Sequence, residues 1–279
     1  MRKIRKPEYK KNHPYIGKRN AWSLYSYLSP NLCAGLRRFL TLELAPVPAD
    51  FKTEEEWKDA IRQMLRSFEE VHMDYPDDPR SNWLTKECQK LEAAGLPVIT
   101  TKKDPDCPGL WQLTYNTPEE PEELIDEMLA YNSEIQKGIR LFAKYYRELH
   151  TDITPPPMVH RKQGEMPVRK RQLARLRKEP LVSETDAANL AALFTPFLCA
   201  GLRRFYTMNR FGYMDEAGEP EEWNEIIGKM LYSFEQIRRD YCSSPTENQP
   251  PVVNSSEEEE KKVLEGLDLF GKYYRNLWD

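Results

Sequence analysis

Several features that would identify a membrane or secreted protein are missing from this sequence. No apolar run reaches the roughly 18 residues that a helix needs to cross a bilayer. The basic N-terminal segment is not followed by the apolar stretch of a secretory signal. The five cysteines form no CxxC pair, which favours unpaired thiols in a reducing compartment. We therefore expect a cytoplasmic protein that makes no membrane contact.

Recognisable catalytic and metal-binding motifs are missing as well. The four histidines and five cysteines show neither an HExxH motif nor the spacing of a zinc site. The chain has no Walker or dinucleotide-binding glycine loop and no GxSxG. Carboxylate pairs are frequent, but none stands out from a background of 45 acidic residues. We expect no enzymatic activity, no metal and no cofactor, and an unrecognised enzyme is the third-ranked hypothesis.

Charge is distributed unevenly along the chain. The formal net charge is -4, so the molecule as a whole has no bulk attraction for nucleic acid. Basic residues concentrate in segments 1–20 and 161–178, whereas acidic runs lie at 119–123 and 257–260. The basic segments are either solvated arms or surfaces that contact a phosphate backbone.

An internal repeat dominates the sequence. PNLCAGLRRF at 30–39 returns as PFLCAGLRRF at 196–205, an offset of 166 residues. Near the end of each copy, GIRLFAKYYRELH at 138–150 matches GLDLFGKYYRNLW at 266–278, where the offset is 128. The first copy therefore carries 38 extra residues, which lie at about 80–117.

Each copy has the periodicity of three helices. Apolar residues recur every three or four positions, so they share one face of each helix. Pro30 and Pro196 interrupt the first helix of each copy, where they either bend it or begin a new one. Ser256 with Glu259 has the spacing of a capping box at the start of the last helix.

The insertion has a different composition. It contains a helical stretch at 83–93, which ends at Gly95, and two β-rich runs at 96–103 and 110–116. Turn-forming residues separate these runs, which predicts a hairpin. After the first copy, a Pro-rich segment precedes a short basic helix at 168–178.

These patterns predict an all-α protein built from two tandem three-helix units, the first decorated by a small helix and a β-hairpin. The predicted parts are a basic N-terminal arm (1–20), repeat unit 1 (21–152), a Pro-rich and basic linker (153–182) and repeat unit 2 (183–279). A covalent duplication often replaces a homodimer, so a monomeric pseudo-dimer is favoured over a homo-oligomer.

Cationic and aromatic residues recur in both copies. They are Arg37, Arg38, Lys144, Tyr146, Arg147, Arg203, Arg204, Lys272, Tyr273 and Arg275. One interpretation is structural: the Tyr rings belong to the core, and the charged groups reach water or pair with Glu. The other is an anion or nucleotide site, because guanidinium groups bind phosphate bidentately and Tyr faces stack on bases. Helical spacing predicts that Phe142, Tyr145 and Leu149 continue one core stripe and that Tyr146 and Arg147 turn away from it, whereas in copy two Tyr274 continues from Phe270 and Tyr273 lies at the edge.

A resemblance to a known group of proteins rests on a few motifs. These are Trp22-Ser23-Leu24, the helix that ends in Leu36-Arg37-Arg38-Phe39, Glu55-Glu56-Trp57, and the C-terminal GLDLFGKYYRNLWD at 266–279. Together they resemble uncharacterised small helical proteins of phages and prophages of Firmicutes, here duplicated in tandem. The first copy departs from the pattern, with His150 in place of Trp278. The resemblance implies a phage accessory role and supplies no catalytic residue.

Two functional hypotheses therefore lead. The first is a non-enzymatic phage or prophage accessory protein that binds an anionic ligand, either a nucleotide or a nucleic acid; a sponge for a defence nucleotide would be one form. The alternative is an inhibitor or adaptor that binds a host protein through the insertion and the acidic faces.

Overall fold

The computed structural model describes residues 16–73, 75, 77–103, 111–151, 180–208, 220–242 and 256–278. Its helices are α1 (Lys18–Ala21), α2 (Leu24–Phe39), α3 (Glu54–His72), α4 (Pro79–Ala93), α5 (Glu122–Lys144), α6 (Glu184–Ala187), α7 (Leu190–Tyr206), α8 (Pro220–Cys242) and α9 (Glu257–Tyr273). Short 3-10 turns at Tyr146–Glu148 and Tyr274–Asn276 follow α5 and α9. The fold is all-α, as predicted. The basic segment 1–15 and the predicted helix at 168–178 lie outside the described residues.

The chain divides into two compact units. The main unit combines Met1–His72 with Gln136–Asp279, and the inserted unit is Met73–Ile135. Both sequence copies therefore contribute to one unit, copy two with α7, α8 and α9, and copy one with α2, α3 and the last part of α5. The inserted unit is larger than the predicted insertion at 80–117, because it also takes in the start of α5 and the segment before α4.

The local signals in the sequence have their expected structural effect. Pro220 is the first residue of α8, and Ser256 and Glu259 form the reciprocal hydrogen bonds of a capping box. The helices α2 and α7 continue through Pro30 and Pro196, so neither proline begins a new helix.

Equivalent residues of the two copies meet in the centre of the main unit. The ring centroids of Phe142 and Phe270, which are 128 positions apart, are separated by 6.4 Å. A Cβ placed on Gly271 would lie 3.0 Å from the Cβ of Ala143, its own equivalent. Contacts between equivalent residues are the mark of a twofold interface. The copies are therefore arranged as the two halves of a symmetric dimer.

Contacts around this centre occur in reciprocal pairs. The Tyr274 ring packs edge-on against Phe68 at 5.1 Å, and the Tyr146 ring packs in the same way against Phe234 at 5.2 Å. The Leu24 amide donates to the Leu277 carbonyl at 2.8 Å. The corresponding bond in the other half has the same length, from the Leu190 amide to the Leu149 carbonyl. Each copy thus completes the core and the backbone hydrogen bonding of the other.

Glycine allows close approach of the second and third helices within each copy. A Cβ on Gly138 would lie 2.1 Å from the Ser67 Oγ, and a Cβ on Gly266 would lie 2.0 Å from the Ser233 Oγ. Real Cβ contacts are never this short, so only glycine fits at either crossing. The two crossings are the same in both copies.

The inserted unit has defined local structure but little core. Asp78 caps α4 by accepting from the Ser81 amide at 3.1 Å, and Gly95 with φ 68° ends it. The strands β1 (Ile99–Lys103) and β2 (Trp111–Tyr115) pair antiparallel with Ile99 opposite Tyr115, which confirms the predicted hairpin. Among its described residues, only Leu124 and Ile135 are buried apolar side chains.

Candidate functional site

The retained arginines Arg37 and Arg203 form ion pairs with carboxylates of their own copy. Arg37 binds Glu69 between α2 and α3, and Arg203 binds Glu235 between α7 and α8. The partners are separated by the same 166 positions as the arginines. An incoming phosphate would have to compete with these carboxylates, so the geometry favours a structural role for both residues.

The neighbouring pair Arg38 and Arg204 differs between the copies. Arg38 binds the carboxylate of Glu184 and donates to the Thr41 hydroxyl at 3.3 Å. The Nε of Arg204 is shielded from solvent and has no hydrogen-bond partner in the part of the chain that the structure describes. Among the predicted arginines, and within the described ranges, Arg204 is thus the one with a buried donor that has no acceptor.

The two retained lysines lie against tyrosine rings. The Lys144 Nζ is 4.7 Å from the Tyr145 ring centroid, and the Lys272 Nζ is 4.6 Å from that of Tyr273. Lys144 also pairs with Asp50 at 2.7 Å, and the Tyr145 hydroxyl donates to the same carboxylate at 2.6 Å. The hydrogen bond from Lys144, followed by that from Tyr145, lowers the pKa of Asp50, whereas Asp50 raises the pKa of Lys144. Burial raises the pKa of Tyr145.

The structure corrects the prediction that Tyr146 faces away from the core. Its side chain is fully buried, and its hydroxyl lies 2.8 Å from that of Thr195 in the other copy. Tyr146 lies four positions after the buried Phe142, as Tyr274 does after Phe270, so helical spacing itself puts both rings on the core side; the centroids of Phe142 and Tyr146 are 5.3 Å apart. Tyr273 is also buried, packed edge-on against Trp223. Neither ring offers a face for stacking on a base.

The last two retained cations lie in the 3-10 turns. Arg147 pairs at 2.5 Å with Glu260, which is a residue of the other copy. Arg275 occupies the equivalent turn and is partly buried. Because most of the predicted cations have carboxylate partners of their own, the structure divides the predicted cluster into separate ion pairs.

A second candidate surface lies on the inserted unit. The first part of α5 exposes Ile125 and Leu129, at 49% and 64% respectively, and these residues are one helical turn apart. Nearby, a groove of about 440 Å³ runs between α4 and the start of α5. Its lining residues are Asp77, Pro79, Asn82, Trp83, Lys86, Pro121, Glu123, Leu124 and Glu127. We call this groove the acidic-apolar face; it lies on the side of α5 that carries Glu123, Leu124 and Glu127, which is nearly opposite the side that carries Ile125 and Leu129.

Sequence reasoning did not single out this face. Leu124 belongs to the apolar stripe of α5 that includes Ile135, so the pattern assigned it to the core and not to the wall of a groove. Trp83 lies in a helix with no fully buried residue, so its role as a groove wall depended on tertiary structure.

Comparison with known proteins places the chain in no family: no family model, no curated protein and no solved structure matches it. The fold and the surface define an all-α protein in which two sets of three helices share one core. Within the described residues, no helix has the length and apolar content to span a bilayer, and no group of His, Cys, Asp or Glu side chains is placed to hold a metal ion.

Proposed function

We propose that this chain is a non-enzymatic interaction protein that binds a basic, amphipathic segment of another protein through the acidic-apolar face. The observation that carries the proposal is a groove lined both by the apolar side chains of Trp83 and Leu124 and by the carboxylates of Glu123 and Glu127.

The charge of the inserted unit supports a basic partner. Residues 73–135 contain fourteen Asp and Glu against five Lys and Arg, a formal charge of -9, although the whole chain carries only -4. Glu123 and Glu127 form no ion pair with any residue that the structure describes. Their carboxylates therefore remain available to Lys or Arg side chains, whose approach this local field would accelerate.

The distribution of exposed apolar residues supports a docking role as well. Ten large apolar side chains are exposed among the described residues, and five of these lie in the inserted unit, which is much the smaller of the two. The five are Met73, Leu96, Ile99, Ile125 and Leu129. This enrichment favours the inserted unit over the main unit as the part that contacts another protein.

The groove suits an apolar anchor with basic neighbours. Trp83 and Leu124 supply apolar walls, and Pro79 and Pro121 restrict the backbone on either side. An ion pair between Arg80 and Glu120, with a 2.7 Å contact, links the start of α4 to the segment before α5. The walls are thus held before a partner arrives, which lowers the cost of ordering them on binding.

Calorimetric titration with a synthetic helical peptide of Leu and Lys tests this proposal. The wild-type chain is expected to bind it, more weakly as salt increases, and not to bind the counterpart in which Glu replaces Lys. The variant Glu123→Gln/Glu127→Gln and the variant Trp83→Ala should each weaken binding by about tenfold or more.

Matched controls lie in the main unit. Glu221→Gln/Glu222→Gln changes two exposed carboxylates in the first turn of α8, and Leu264→Ser changes a leucine that is 53% exposed on α9. Both should bind the peptide as the wild-type chain does. Equal loss in the controls, or wild-type affinity in the variants of the inserted unit, would remove the proposed surface.

This function suits the accessory role in a phage or prophage that the motif resemblance suggests, in which the chain would block or adapt a host protein.

We further propose that the chain works as a monomer in the cytoplasm, because each copy already occupies the interface of the other. Sedimentation analysis should then give a mass near 32.9 kDa, and a mass twice as large would exclude the monomer.

A further inference from the structure

Arg204 has an unusual environment for an arginine. Its Nε is shielded from solvent, but no acceptor among the described residues binds it. A buried donor without a partner is rare in native proteins, since the hydrogen bond to water has been lost and nothing replaces it. Arg204 as a whole is only partly buried, so solutes can approach the side chain.

The equivalent arginine in copy one shows what is missing. Arg38 is held by the carboxylate of Glu184, the first residue of α6. In both copies a threonine three positions later, Thr41 or Thr207, donates its hydroxyl to the carbonyl of the arginine. Arg38 and Arg204 therefore share the threonine hydrogen bond, but only Arg38 has a carboxylate partner among the described residues.

The sequence explains the difference. Helix α1 begins at Lys18 and α6 begins at Glu184, 166 positions later, and both helices have four residues. Helix α6 packs against α2, which carries Arg38, and α1 packs against α7, which carries Arg204. Lys18 therefore occupies the position in copy two's surroundings that Glu184 occupies in those of copy one. Copy two therefore has no carboxylate at the chain position that supplies the partner of Arg38 in copy one.

We propose that this position is an oxyanion site, at which Arg204 binds a phosphate or carboxylate group that takes the place of the missing glutamate. A guanidinium presents Nε and Nη donors in a fork that matches two oxygens of such a group. The site is independent of the acidic-apolar face and narrows the anion-binding prediction from both arginine clusters to one of them.

Exchanging the residue types at positions 18 and 184 provides the test. Isothermal titration with inorganic phosphate, and separately with acetate at equal ionic strength, should give one site per chain for at least one of the two anions. The comparison shows which group the site prefers. Lys18→Glu should abolish this binding and raise the melting temperature in anion-free buffer, because it restores the internal ion pair. Glu184→Lys should create a second site at Arg38.

Two further measurements make the outcome decisive. Arg204→Gln should lose anion binding, whereas the matched variant Arg38→Gln should retain one site. Both should keep the wild-type far-ultraviolet circular dichroism spectrum and bind the basic peptide normally. The proposal is overturned if neither anion binds the wild-type chain, or if Lys18→Glu and Arg204→Gln bind as the wild type does.

Discussion

The hydroxyl of Tyr274 lies 2.8 Å from that of Ser29, although 245 positions separate the two residues. The Tyr274 hydroxyl also donates to the Tyr25 carbonyl at 2.9 Å. An equivalent arrangement joins Tyr146 to Thr195 and to the Ala191 carbonyl. Each copy thus inserts the tyrosine after its third helix into the first helix of the other copy. This exchange explains why the two sequence copies form one compact unit.

The tyrosine exchange predicts two substitutions of nearly equal effect. Tyr146→Phe and Tyr274→Phe each remove one buried hydroxyl and leave the ring in place. Each should lower the free energy of unfolding by about 1 kcal/mol. Urea denaturation measures both, with Tyr206→Phe as an exposed control that should change little. A large effect for one tyrosine and none for the other would contradict the reciprocal arrangement.

Glycine substitutions should have opposite signs at different positions. Gly138→Ala and Gly266→Ala place a methyl group within 2.1 Å of a serine oxygen, so each should destabilise by about 1–3 kcal/mol or more. Gly228→Ala meets no atom closer than 3.8 Å in the middle of α8, so it should stabilise by about 0.5–1 kcal/mol. Thermal unfolding of the three variants measures these effects. Stabilisation at either of the first two positions would show that the helices are farther apart than described.

Asp50 should make stability depend on pH in the acidic range. Its pKa in the folded chain is lowered from 3.8, first by the hydrogen bond from Lys144 and then by that from Tyr145. The folded state therefore binds this proton less readily than the unfolded state does. The resulting stabilisation is fully present above pH 3.8 and is lost as the pH falls through the lowered value.

Melting temperatures between pH 2 and pH 6 test this assignment. The difference between the wild-type chain and Asp50→Asn should be constant near pH 6 and shrink at the acidic end. Lys144→Met should reduce the same pH dependence, because it removes the main cause of the shift. Parallel curves for the wild type and Asp50→Asn would indicate that the contact between Asp50 and Lys144 does not form in solution.

The sequence was sufficient for the features that depend on short-range patterns. The stripe that includes Leu24, Leu28 and Leu32 gives α2, and the Ser256 capping box begins α9. The repeat offset gives the three matching helices in each copy, and turn-forming residues mark the hairpin. In these cases the decisive interactions lie within about one helical turn or one hairpin.

Long-range partners could not be predicted in this way. Glu69 and Glu184, which neutralise Arg37 and Arg38, lie 32 and 146 positions from their partners. Nothing in the periodicity of a single helix selects them from the other acidic residues. Tyr146 was placed on the wrong face because its position was judged from Tyr145 and Leu149 and not from Phe142, which lies four residues earlier on the same face. The groove beside Trp83 could not be predicted either, because its lining residues come from separate helices and loops.

Hydrogen exchange with and without the basic Leu and Lys peptide tests the central claim most directly, because it locates the contact surface without substitutions. Bound peptide should slow exchange in α4 and in the first part of α5, at 79–93 and 122–135, and leave α7, α8 and α9 unchanged. Protection confined to those three helices of copy two, with none in the inserted unit, would contradict the account.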